Sequence, residues 1–102
     1  MDSEALCLAP VQPPWPRGCY VYMLDCGGRL YTGWTTDPAG RLRRHQSGRG
    51  AKFTHSFVPA GLAYLEQLPD KSAALRREYA VKQLTRAQKL ALCALWQTQK
   101  EP

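Results

Sequence analysis

Residues 19–48 read CYVYMLDCGGRLYTGWTTDPAGRLRRHQSG, and their reading decides the fold. Two runs rich in tyrosine, valine and other β-formers, 19–25 and 29–34, flank Cys26-Gly27-Gly28, the composition of a tight hairpin turn. Two-residue turns leave two registers open. With Cys26-Gly27 as the loop, Tyr22 stands directly opposite Tyr31; with Gly27-Gly28, Tyr31 faces Leu24 and Tyr22 lies one pair along. Either register puts the two phenols on one face, whereas a three-residue turn sends them to opposite faces. Helix punctuation follows at once. Asp37 as N-cap, Pro38 at the first helical position and Gly48 as the stop predict a short helix over 38–47 despite the internal Gly40. On it Arg41 and His45 are four residues apart and share a face, with Arg44 close beside them.

Working outward, LAYLEQL at 62–68 reads as a third strand closed by Pro69, and Asp70 opens a helix of good formers. Thr85 and Gln88 have the spacing of a capping box at the head of a further helix, TRAQKLALCALWQ. The order ββαβαα implies an α+β fold, a small three-stranded, mostly antiparallel sheet flanked by helices, with the strand order open. Between Gly48 and Gly61 the pattern dissolves into a loop long enough to suggest function. Residues 1–17 carry Pro10, Pro13, Pro14 and Pro16 without periodicity and read as a Pro-rich flexible tail. The domain is therefore expected over 18–98, with 99–102 as a C-terminal tail.

A chain of 102 residues fits one domain with a modest core, so a second catalytic domain is not expected. Its 44% hydrophobic and 22% charged residues exclude the disordered and fibrous classes. A formal charge of +6 favours a polyanionic partner, because each cation laid against a phosphate releases condensed counterions. The charge is concentrated. No acidic residue stands between Asp37 and Glu66, while Arg41, Arg43, Arg44, Arg49 and Lys52 do. Phe53, His55 and Phe57 interleave rings that either stack on bases or pin the loop to the core. Such a patch contacts backbone and gives affinity with little sequence choice.

The N-terminus opens on acidic residues and lacks both a basic leader and a long apolar run, so neither a signal peptide nor a membrane span is expected, and the location expected is cytoplasmic. The four cysteines form no C-x-x-C pair and read as idle thiols. One carboxylate stands out. Glu78 lies on a helical wheel between Leu75 and the pair Ala74 and Val81, on or beside the face expected to pack on the sheet. Carboxylates are rarely placed there unless ion-paired, here with Arg41 or Lys82, or bound to metal. Glu66, near the end of the third strand, reads as a surface residue.

YVY at 20–22, YTG at 31–33, an arginine eight residues after that glycine, a histidine four further on and the helix RREYAVKQLTRAQK together resemble the GIY-YIG nuclease superfamily, in particular its small single-domain bacterial branch. The likeness covers residues 19–92. It implies that the motif tyrosines are Tyr22 and Tyr31 and the motif glycine Gly33, that Arg41 binds the scissile phosphate with His45 beside it, and that Glu78 is the metal ligand. Departures are Tyr20, Val21 and Thr32 at motif positions of glycine and isoleucine. Many members also carry an asparagine beyond the metal-binding glutamate; this chain has none, and Lys82 is the residue near that place.

The resemblance implies hydrolysis of DNA phosphodiesters with one divalent cation, Mg²⁺ or Mn²⁺, held by Glu78. Tyrosine has a reference pKa of about 10, so as a base it needs positive charge nearby, which Arg41, His45 and the metal are expected to supply. Tyr22 is assigned as base or water-positioning group, with Tyr31 and His45 holding the hydrogen-bond network; exchanged roles stay open. Arg41 clamps the phosphate. Arg43, Arg44, Arg49, Lys52 and Lys82 are the expected nucleic-acid contacts. The expected substrate is branched, damaged or single-stranded DNA, in repair or processing, with RNA open and any site specificity left to a protein partner. The alternative is a nucleic-acid-binding module that keeps the fold without cutting.

Overall fold

The computed structural model describes residues 7–47 and 61–100. Its elements are β1 (Cys19–Cys26), β2 (Arg29–Thr35), α1 (Pro38–Gln46), β3 (Gly61–Leu68), α2 (Lys71–Lys82) and α3 (Arg86–Gln97), followed by a 3₁₀ turn, Thr98–Lys100. The three strands form one antiparallel sheet in the order β2-β1-β3. This is the α+β order that the sequence implies, with the strand order now resolved.

The hairpin loop is Gly27-Gly28. Both glycines have positive φ, 66° and 90°, the left-handed pair that a two-residue turn needs to match strand twist. Asp25 Oδ1 accepts from the Gly28 N–H at 3.2 Å and braces the turn. Of the two open registers this selects the one in which Leu24 faces Tyr31 and Tyr22 faces Gly33. Tyr22, Leu24, Tyr31 and Gly33 therefore share one face of the sheet, and Val21, Met23, Thr32, Trp34, Tyr64 and Glu66 the other. Central strand β1 is covered on both faces, so Tyr20 to Leu24 are all buried.

Helix α1 starts as its punctuation predicts, with Asp37 Oδ1 accepting from the Gly40 N–H at 3.1 Å. The capping box of α3 is complete: Thr85 Oγ1 accepts from the Gln88 N–H at 3.2 Å, and Gln88 Oε1 accepts from the Thr85 N–H at 2.9 Å. Helix α2 packs across all three strands, with Ala74 and Val81 buried beneath it.

Two expectations need correction. Residues 7–9 are not a flexible tail: they pair with the outer edge of β3, where the Ala9 N–H donates to Leu65 C=O at 3.1 Å and the Gln67 N–H to Cys7 C=O at 2.8 Å. An edge strand offers unpaired backbone groups, and this short strap covers them. Ala9 is buried, and its carbonyl accepts from Trp96 Nε1 at 2.7 Å and Gln99 Nε2 at 2.9 Å. Further along, Trp15 Nε1 donates to Pro10 C=O and the Tyr20 hydroxyl to Pro16 C=O. Glu66 is likewise not a surface residue. It is 4% exposed, because the strap lies along one side of β3 and Arg77 of α2 reaches its carboxylate at 2.9 Å.

Candidate active site

The strand register fixes the first pair of groups. Tyr22, on β1, leans across β2 at Gly33, where a Cβ would lie 2.6 Å from the phenol oxygen and 2.8 Å from Cζ. Any side chain at Gly33 would have to displace the ring. The phenol is thereby pinned with its oxygen 3.1 Å from Nε2 of His45, which α1 buries against the same face. Tyr31 completes the cluster, its ring centroid 5.0 Å from that of His45 and 6.3 Å from that of Tyr22.

A cleft of about 290 Å³ opens where this cluster meets the edge of β2. Tyr22, Tyr31, Gly33 and Thr35 bound it from one face of the sheet, Trp34 from the other, with Thr36 at the strand's exit. Arg41 of α1 and Glu78 of α2 enter it from the two helices. Sequence reasoning brought together Tyr22, Tyr31, Gly33, Arg41, His45 and Glu78; five of them line this cleft, and His45 is buried behind it against Tyr22. It missed Trp34 and Thr36, whose only signal is their place beside the YTG triplet; Thr35 instead accepts from the Asp37 N–H at 3.0 Å and shapes the turn into α1.

Electrostatics set the protonation states. Burial raises the Tyr22 phenol well above its ordinary range, Tyr31 and Glu78 add to this, and Arg41 opposes them. Burial also lowers His45, reinforced by the positive charges of Arg41 and Arg44. The resting pair is thus a neutral phenol on a neutral imidazole. Of the groups acting on the phenol, Arg41 is the one that lowers it, whereas a neutral imidazole does not bring the positive charge expected of His45.

Glu78 is about one-fifth exposed and lies 3.2 Å from Lys82 Nζ, one turn along α2. Lys82 is half exposed, and a solvent-screened i,i+4 pair contributes only about 0.3–0.5 kcal/mol, so it yields readily to a stronger cation. The described residues contain no group of three or more His, Cys, Asp or Glu side chains that could hold a metal ion. All four cysteines are free thiols. Beside Glu78 the oxygen-bearing side chains that line the cleft are those of Tyr22, Tyr31, Thr35 and Thr36, and a carboxylate among hydroxyls fits a hard cation such as Mg²⁺ or Mn²⁺. Arg43, Arg44 and Lys82 are exposed on the two helices, whereas Arg49 and Lys52, with Phe53, His55 and Phe57, lie outside the described residues.

The tyrosine pair crossed by Gly33, with Arg41, His45 and Glu78 around one cleft, agrees with a comparison of the sequence with known families: the model of the GIY-YIG catalytic domain matches residues 18–91. The chain belongs to the GIY-YIG family. It is a small member of that nuclease family, similar to a UPF0213 protein of Streptococcus sanguinis at 51% identity over 73 residues, 71% of this chain and 84% of that one. A UPF0213 protein of Halobacterium salinarum is 49% identical over 74 residues, 72% of this chain and 96% of the other. Among solved structures, the solution NMR structure of the UPF0213 protein BH0048 from Bacillus halodurans shares 45% identity with a TM-score of 0.48, covering 76% of this chain and 83% of that one. Among the described residues of this GIY-YIG chain, no helix is long and apolar enough to cross a membrane.

Proposed function

We propose that this GIY-YIG chain hydrolyses DNA phosphodiesters with one divalent cation and little sequence preference of its own. The observation that carries the reading is that Tyr22, backed by buried His45 at 3.1 Å, lines the same cleft as Arg41 and Glu78. Phosphodiester hydrolysis needs a water to lose a proton, cationic groups on the non-bridging oxygens and an electrophile at the leaving oxygen. With the phenol proton shared toward Nε2 of neutral His45, the Tyr22 oxygen accepts the proton of a water as that water attacks phosphorus. His45 takes the phenol proton. The bond to the leaving oxygen breaks on the far side, the departing alkoxide takes a proton from a solvent water, and the proton held on His45 returns to solvent through Tyr22. Arg41 faces the non-bridging oxygens, where negative charge builds. Glu78 is the residue to hold Mg²⁺ or Mn²⁺, which when bound supplies positive charge to the leaving oxygen.

The basic face built from Arg43 and Arg44 supports backbone contact to DNA, and substrate choice among branched, damaged and single-stranded forms is left to shape or to a protein partner. The alternative, a binding module that does not cut, is favoured by one observation: Lys82 already neutralises Glu78. Digestion of plasmid and oligonucleotide substrates with Mg²⁺, with Mn²⁺ and with EDTA separates the two. Metal-dependent cutting supports hydrolysis. Binding without cutting under any metal supports the module.

A further inference from the structure

We infer that the buried Tyr64–Glu66–Arg77 network is a positioning device that sets the rotation of α2 and so aims Glu78 into the cleft; the inference rests on the reading of that cleft as a metal-assisted hydrolytic site. The Glu66 carboxylate stands mid-sheet, paired with Val21 on one side and bridged by Leu8 on the other, with its side chain 5% exposed. Its Oε1 accepts from the Tyr64 hydroxyl at 2.6 Å and from Arg77 Nε at 2.9 Å. Apolar residues of similar size in such a place commonly match or exceed the stability of a buried ion pair. What the ion pair adds is direction.

Direction matters because the apolar grip on α2 is slight. Its fully buried side chains are the small Ala74 and Val81, while Leu75 and Tyr79 are 42% and 69% exposed. Packing of this kind resists translation better than rotation about the helix axis. Arg77 and Glu78 are successive residues, about 100° apart around that axis. Arg77 is tied down over β3, and Glu78 is thereby turned toward the β2 side, where the cleft opens. Side-chain tips lie about 5–6 Å from a helix axis, so a rotation of about 10° moves the Glu78 carboxylate by roughly 1 Å. Misplacement on that scale costs about 10²-fold in rate at a reacting centre. Lys71, whose Nζ sits 5.7 Å from the Trp34 ring centroid, adds a second tether on the β2 side, but an exposed cation over a ring is a soft one.

The test replaces all three network residues at once with apolar residues of similar size, Tyr64→Phe, Glu66→Leu and Arg77→Met, so that no buried polar group is orphaned. The variant is expected to melt cooperatively within a few degrees of wild type. Its Mn²⁺ affinity without DNA, read by electron paramagnetic resonance, should fall by roughly 10–100-fold, as for lost outer-shell support. Its kcat should fall by about 10²-fold with KM for DNA held within about twofold, and contacts from α2 to the Trp34 ring seen by nuclear Overhauser effects should change. Wild-type Mn²⁺ affinity, kcat and Trp34 contacts in a folded variant would overturn the inference and leave a purely structural network. If the triple variant does not fold, Arg77→Lys decides: the charge stays but the directional Nε bond is lost, so weaker Mn²⁺ binding supports the inference and wild-type binding overturns it. A wild-type protein that neither binds Mn²⁺ nor cuts would sink the hydrolytic reading instead, and the Trp34 contacts alone would then judge the positioning claim.

Discussion

The Tyr22 hydroxyl lies 3.1 Å from Nε2 of His45, inside the protein, with neither side chain more than 2% exposed. In the proposed hydrolysis this contact relays a proton from the phenol to the imidazole, which requires His45 to be neutral. Burial, Arg41 and Arg44 hold His45 below its ordinary value of 6.5. Imidazole titration followed by NMR should therefore give a midpoint below 6.5. Cleavage should be lost on the acid side only as pH falls through that lowered midpoint. The stability sign is consistent: between the folded and unfolded values the unfolded chain binds more protons, so stability rises with pH across that window and falls as acid is added. A midpoint above 6.5 would contradict the assignment of His45 as proton acceptor.

Gly33→Ala tests the close approach of β2 to the phenol. The added Cβ would meet the Tyr22 hydroxyl at 2.6 Å, so the ring must move off its contact with His45. Overpacking of this kind costs about 1–3 kcal/mol of stability. Cleavage should fall far more than DNA binding, since Arg43 and Arg44 are untouched. Unaltered cleavage would show that the Tyr22–His45 contact is dispensable.

Arg41→Ala should impair the chemical step more than ground-state binding. Removing one preorganised donor to a developing charge costs about 10²–10³ in rate, whereas one phosphate contact among several costs much less in affinity. Single-turnover rates at saturating DNA separate the two effects. Collapsed affinity with an unchanged rate would make Arg41 an anchor.

Deleting residues 1–17 should destabilise the domain. The deletion bares the edge of β3 and removes the carbonyl of Ala9, orphaning the buried Trp96 indole N–H, which by itself costs about 1–3 kcal/mol. For a domain of this size each kcal/mol lowers the melting midpoint by about 4–8 °C. A midpoint equal to the full chain's would return the segment to the status of a tail.

How much of this was legible in the sequence depended on the range of the interaction. The hairpin, α1 and the α3 capping box rest on contacts within a few residues, and Gly27-Gly28, Asp37-Pro38 and Thr85-Gln88 announce them. The shared face of Tyr22 and Tyr31 follows from strand alternation alone; the register needed the φ angles of two glycines. The strap at 7–9 was hidden because it pairs with a strand more than 50 residues away, and the prolines that follow it dominate the local composition. Glu66 was misread for a related reason. Its burial depends on that strap and on Arg77, eleven residues on in another element. The protonation state of His45 could not be read either, since burial and not the neighbouring arginines is its main cause.

The measurement that bears most directly on the account is Glu78→Gln in cleavage and binding side by side. The amide keeps the size and most of the hydrogen-bonding capacity of the carboxylate but loses the charge that a divalent ion requires, and the pair with half-exposed Lys82 that it gives up contributes little to stability. The folded variant should bind DNA in EDTA as tightly as wild type, or slightly more so, because a negative charge beside the phosphate is gone. Cleavage in Mg²⁺ or Mn²⁺ should disappear, together with metal-induced thermal stabilisation. A Glu78→Gln variant that cuts DNA at the wild-type rate would contradict the assignment of Glu78 and the hydrolytic account built on it.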